Sequence, residues 1–211
     1  LSCKRLDKLY LFEDQSIRLP QDTIEICDKF AADLDNSYYI KNRKASQSKV
    51  KSQIRYSKIV EFAIAEFLNN EFGKTTQPDV QIYGSKDKSW DSDLQLEFGG
   101  ETYKIHCKSC STETSKKFGT SFIFNTGNTK GKFGKDKLFD SSDPLDYVCF
   151  AEFNEGDCSV KILALVQWNF IVENSYLSEM GVHQLRHIKK AVYLADLQNP
   201  DREIPDPYCP F

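Results

Sequence analysis

The sequence predicts an α/β domain with a central mixed β-sheet flanked by helices, on three observations. Apolar residues recur at helical spacing through the first third of the chain. Two-residue alternation broken by glycine turns governs the middle. The resulting order of helices, strands, a basic helix-or-loop segment, strands and a helix is that of a layered α/β domain. The 211 residues suit one domain, and apolar residues at 40% suffice for its core.

In order along the chain, Leu19-Pro20-Gln21-Asp22 opens a predicted helix that runs to about Leu34. Asn36 to Ser48 is polar and basic, a loop or helix entry. A long helix is expected from about Gln47 to Phe72, closed by Gly73. Its segment Ile59 to Leu68 is apolar around nearly the whole circumference, which predicts a central, buried helix interrupted only by Glu61 and Glu66. A carboxylate embedded there needs a partner, because desolvating it alone is costly. Strands are expected at Val80–Tyr83, Asp91–Phe98 and Glu101–Lys108. A second pair, Leu145–Phe153 and Ser159–Trp168, turns at Asn154-Glu155-Gly156-Asp157. A helix from about Asn174 to Lys190, a late strand at Ala191–Leu194 and an irregular Pro-rich tail from Ile204 complete the chain.

The net charge of −3 argues against a nucleic-acid binder until its distribution is read. Lys41 to Lys58 holds seven cations and no acid. Lys104 to Lys137 holds eight lysines against Glu113 and Asp136, and Leu138 to Val160 has six acids and no Lys or Arg. Two segments are therefore placed to touch phosphates. Seven scattered cysteines in a chain of this length read as reduced thiols. The first residues lack an apolar signal-peptide core and no apolar run is long enough to span a bilayer, so an intracellular protein without membrane contact is expected.

The chemistry centres on Gly99-Gly100, two residues that both accept the positive φ of a tight hairpin turn. With these at the central turn positions, Leu96 opposes Tyr103 and Leu94 opposes Ile105 on an apolar face. Asp93 then opposes His106, and Asp91 opposes Lys108, on the other face. A carboxylate with a second ligand opposite holds a hard divalent cation and leaves room for waters. Such a cation lowers the pKa of bound water and stabilises charge on a phosphate. A lysine beside it orients the nucleophile or offsets the developing charge, and Glu61 from the buried helix is placed to complete the shell.

This arrangement resembles the PD-(D/E)XK nucleases, a family that includes many type II restriction endonucleases. The match covers roughly Lys49 to Ser109: Asp93 or Asp91, then His106-Cys107-Lys108, with Glu61 upstream. It departs at His106, where the family carries Glu or Asp. Either His106 binds the metal through a ring nitrogen, or Glu61 or Asp91 supplies the missing carboxylate. Pro78-Asp79 also spells the motif's first letters but lies far from the turn. The resemblance implies a restriction-endonuclease-like fold and a single nuclease domain, helical over about 1–75, with the catalytic sheet and basic loop over about 76–211. It further implies Mg²⁺ (Mn²⁺ as a substitute), double-stranded DNA as substrate, a cytoplasmic, prokaryotic-type location and a homodimer on a palindromic site. Asp93, Asp91, Glu61 and His106 are the expected metal ligands, and Lys108 the expected catalytic cation. A structure-specific repair or recombination nuclease is the rival reading on the same fold.

Lys49, Lys51, Arg55 and Lys58 on the long helix are expected to face DNA. So are Lys116, Lys117, Asn128, Lys130, Lys132 and Lys135 in the glycine-lysine segment, whose spacing does not match a P-loop. Cys107-x-x-Cys110 and His183-x-x-x-His187 have zinc-ligand spacing and support a zinc-stabilised DNA-binding module as the non-enzyme alternative. The pairs are too far apart for a zinc-finger loop, and Cys107 belongs on the apolar face. Cysteine nucleophile chemistry is disfavoured because His106 and Cys107, adjacent in a strand, diverge.

Overall fold

The computed structural model describes residues 5–34, 46–82, 92–127, 135–180, 185 and 188–199. Nine strands and five helices follow in the order β1 (Leu9–Arg18), α1 (Gln21–Asp33), α2 (Gln47–Glu71), β2 (Lys74–Thr75), β3 (Leu94–Phe98), β4 (Glu101–Ser111), α3 (Thr112–Phe118), β5 (Ser121–Asn125), a 3₁₀ turn (Lys137–Asp140), β6 (Asp146–Asn154), β7 (Ser159–Gln167), α4 (Trp168–Glu173), β8 (Ser178–Glu179), β9 (Lys189–Tyr193) and α5 (Leu194–Gln198) among the described residues. None of these helices is long and apolar enough to cross a membrane.

α1 buries Ile24, Cys27 and Ala31, one stripe at helical spacing. α2 is capped by Ser46, whose hydroxyl accepts the Lys49 N–H at 3.3 Å. From Ile59 to Leu68 it is buried except at Phe62 and Glu66, as its all-round apolar pattern predicts. It ends where the Phe72 and Gly73 N–H groups both return to the Leu68 carbonyl. Gly73 is required there: a Cβ would lie 2.3 Å from the Glu97 carbonyl oxygen, a backbone atom that cannot step aside. Gly73→Ala is expected to cost about 1–3 kcal/mol of stability, measured as a lower urea midpoint. An unchanged midpoint would mean that the junction of α2 with β3 yields freely.

The main sheet is six-stranded in the order β1-β7-β6-β4-β3-β2. β4 and β6 run parallel and every other pair is antiparallel, so the sheet is mixed. Its central strands are buried on both faces, which is why β6 reads as a continuous apolar run. Tyr147, Cys149, Ala151 and Phe153 pack with α2 on the first face. Val148 and Phe150 pack on the second face with Phe122 and Phe124 of β5 and Val192 of β9. The second face is covered by a small sheet, β5-β9-β8, together with α4.

Four expectations are corrected. The N-terminal part is not wholly helical, since β1 forms an edge of the main sheet. The sheet is not flanked by helices alone, because a second sheet lies on one face. Val80–Tyr83 is not a strand over its described residues, and β3 is instead bordered by Lys74–Thr75. The helix expected over Asn174–Lys190 is absent from its described residues: β8 occupies Ser178–Glu179, and Lys189 and Lys190 already belong to β9. The Pro-rich tail lies outside the described residues.

Candidate functional site

The hairpin forms in the expected register. Gly99 and Gly100 take φ of 60° and 86°, and Leu94 pairs with Ile105, Leu96 with Tyr103 and Phe98 with Glu101. The four apolar members of the first two pairs are buried against α2.

The ladder starts at Leu94, and the difference from the expected geometry begins there. Asp93 does not oppose His106 face to face. Its carboxylate turns along the sheet edge and accepts the Cys107 N–H at 2.7 Å. It thereby takes the place of a strand partner that β3 no longer supplies. From His106 onward β4 pairs only with β6 among the described residues, and no described strand lies on its other edge. Asp91 lies outside the described residues.

His106 and Lys108 share the second face of the sheet, as their even spacing requires. Lys108 Nζ is 3.0 Å from Asp136 Oδ1 and lies over the Phe124 ring at 4.9 Å. Asp136 is itself tied to β5, its other oxygen accepting the Asn125 N–H at 2.7 Å. His106 Nε2 stands 3.6 Å from Asp146 Oδ1, wider than a hydrogen bond. That oxygen has no hydrogen-bond partner, although Asp146 is only 4% exposed. Its other oxygen accepts from the Ser141 hydroxyl. Burial pushes the imidazole of His106 below its ordinary value, against the opposing pull of Asp93 and Asp146. His106 is therefore neutral at neutral pH.

Glu61 comes from the helix on the first face. Its carboxylate is 2.6 Å from Lys58 Nζ and accepts from the Ser57 hydroxyl at 3.2 Å. Burial raises it to about 7, because the lost hydration outweighs what Lys58 and Ser57 return; the negative charge of Asp93 adds to the rise. The unfolded group titrates near 4.5, so between the two values the native state holds a proton that the unfolded chain has released. The stability this group contributes is fully present below about pH 4.5 and is lost as pH rises through 7. Its share of the unfolding free energy is expected to fall by about 3 kcal/mol across that window. Glu61→Gln should flatten this part of the stability profile, and an unaltered slope in urea titrations would assign it to other groups.

The sheet thus divides the expected constellation. Glu61 and Cys107 belong to the α2 side, His106 and Lys108 to the other, and Asp93 sits at the edge between them, felt electrostatically by both Glu61 and His106. Among the described residues no three His, Cys, Asp or Glu side chains stand together as a metal group. Cys107 packs in the first core and Cys110 beside the second, so the two thiols cannot share one ion. His183 and His187 lie outside the described residues.

Of the expected DNA-facing cations, Lys49 is exposed. Lys51 donates to the Ala32 carbonyl at 3.3 Å, Arg55 pairs with Asp28, and Lys58 is turned inward to Glu61. Three of these four cations on the helix therefore hold α1 or the core. Lys116 and Lys117 are exposed on α3, and Lys135 pairs with Asp140. Asn128, Lys130 and Lys132 lie outside the described residues.

Sequence reasoning missed Asp136 and Asp146, the partners of Lys108 and His106. Asp146 belongs to the acid block that follows the lysine-rich segment, whereas Asp136 is one of the two acids within that segment, and neither position marks its partner.

A cleft of about 430 Å³ opens along the edge of β4, between the N-terminal half of α2 and β5. Lys108 and Ser109 line it at the carboxyl end of the parallel pair β4–β6. That is where open α/β sheets place ligands. Compared with family models, with curated proteins and with solved structures, the chain matches none.

Proposed function

We propose that this chain is a metal-dependent endonuclease of the PD-(D/E)XK type that hydrolyses double-stranded DNA, used as a type II restriction enzyme, with a restriction-endonuclease-like arrangement of its main sheet. One observation carries the reading. The Gly99-Gly100 hairpin brings the Asp93 carboxylate against the edge of β4 at the Cys107 N–H, within His106-Cys107-Lys108, and Lys108 lines a cleft.

The described residues do not by themselves complete a site for Mg²⁺. Asp93 offers one carboxylate at the edge, Glu61 is raised by burial and tied to Lys58, and His106 faces Asp146. What the chain's own groups supply is a cation, Lys108, whose present counter-ion Asp136 a DNA phosphate would replace. They also supply a carboxylate, Asp93, held by the Cys107 N–H at the strand edge. A neutral His106 backed by a buried carboxylate completes the set; it can accept a proton and share the resulting charge with Asp146.

The test is digestion of unmodified plasmid DNA with Mg²⁺ or Mn²⁺, with EDTA as control. Discrete fragments are expected. Nicking confined to branched or damaged DNA would move the assignment to a repair or recombination nuclease on the same scaffold. No metal-dependent cleavage of either substrate would overturn it.

A further inference from the structure

We infer that the cleft along the edge of β4 binds the base of a single unpaired nucleotide, so that the protein grips DNA where one base leaves the duplex stack. The inference rests on DNA as the ligand of the proposed function, but not on cleavage.

The lining argues for a base over a bare phosphate. A phosphate pocket needs unpaired cations or converging backbone N–H groups. Here the lining sets a single lysine, Lys108, against the negative charge of Glu155. The remaining polar groups are neutral: the Gln53 amide and serine hydroxyls such as Ser109. An aromatic base has two apolar faces and a polar edge, and the cleft repeats that pattern. Tyr56 of α2 contributes one wall, its ring fixed 4.7 Å from that of Phe153. Ile123 of β5 contributes another, and at 42% exposed it is a large apolar side chain that the fold leaves uncovered. Helix α2 covers the first face of the sheet and β5 the second, so Tyr56 and Ile123 approach that edge from opposite sides. A base between them is stacked on both faces, while Gln53 and Ser109 meet its hydrogen-bonding edge. An amide matches the paired donor and acceptor of adenine. The volume is that of a small-ligand pocket, sized for a single nucleotide.

The ladder between β3 and β4 begins at Leu94, and the Asp93 carboxylate takes the next place along the edge of β4, against the Cys107 N–H.

Binding is measured in EDTA, where no metal-dependent cleavage intervenes, by fluorescence anisotropy with two short duplexes. One is fully paired, and the other carries one unpaired adenine. The bulged duplex is expected to bind about tenfold tighter, the scale of one base stacked on an aromatic ring. Tyr56→Leu and Ile123→Ser are expected to bring the ratio close to one while leaving affinity for the paired duplex unchanged. Ile123 is exposed, so its variant remains informative if Tyr56→Leu fails to fold. Equal affinities in the wild type, or a ratio preserved in the folded variants, would overturn the cleft's role and leave the nuclease proposal standing. Failure to bind either duplex would likewise overturn the cleft's role, while the nuclease proposal is decided by the digestion with Mg²⁺ or Mn²⁺.

Discussion

Phe150→Ala is expected to lower the unfolding free energy by about 3–5 kcal/mol, the range for emptying a buried aromatic site. Phe150 is fully buried near the centre of the main sheet. Its ring stacks on Phe122 at 4.4 Å and meets Phe124 edge-on at 6.3 Å. These contacts join the six-stranded sheet to β5 of the small sheet, and Phe124 in turn packs on Trp168 at 5.3 Å. Set against the roughly 5–15 kcal/mol by which domains are stable, such a loss leaves the variant close to its threshold. Urea unfolding measures it directly. Ile123→Ala on the exposed side of β5 is the control and should shift stability by less than about 0.5 kcal/mol. Equal effects at both positions would mean that the small sheet is not held by this core.

Lys108→Ala and Asp93→Asn are expected to lower DNA cleavage by about 100-fold or more each. That is the scale on which one preorganised charge contact acts in a transition state. The substitutions are chosen so that folding survives. An asparagine at position 93 keeps an oxygen for the Cys107 N–H that Asp93 now accepts. Loss of the Lys108 ammonium leaves Asp136 with its bond to the Asn125 N–H. Circular dichroism and the urea midpoint check that the fold is retained. Cleavage undiminished in both variants would remove these residues from the site, even if the protein is a nuclease.

What could be read in the sequence was local. The hairpin register followed from two adjacent glycines and a strict alternation, because turn geometry and side-chain parity operate within a few residues. α2 was legible from its length and periodicity, and the embedded Glu61 from the cost of burying a charge. β1 escaped notice because its alternation is interrupted. The register against β7 shifts between Leu11 and Gln15, where Asp14 takes φ of 56°, and most of the strand is solvated. β5 is five residues long and sits in a lysine-rich neighbourhood that reads as loop. The span from Asn174 was mistaken for a helix although Tyr176 is buried and β8 pairs with β9, contacts that no local pattern encodes. The partners of the candidate site were invisible for the same reason. Asp146 meets His106 only because β4 and β6 lie parallel across a long connection, and Asp136 reaches Lys108 only because β5 packs over that face. These meetings are set by tertiary topology, and a list of neighbours along the chain does not contain them.

The pairing of β1 with β7 has a consequence for biosynthesis. The first strand of the chain, Leu9–Arg18, finds its partner in Ser159–Gln167, which the ribosome delivers nearly 150 residues later. At synthesis rates of roughly 5–20 residues per second, that interval is on the order of ten seconds. Throughout it Tyr10, Phe12 and Ile17, which finally pack against the first core, have no sheet to join. The nascent polypeptide therefore cannot finish its main sheet from β1 onward, and chaperones that shield short apolar stretches have a defined stretch to hold until Ser159–Gln167 has been made.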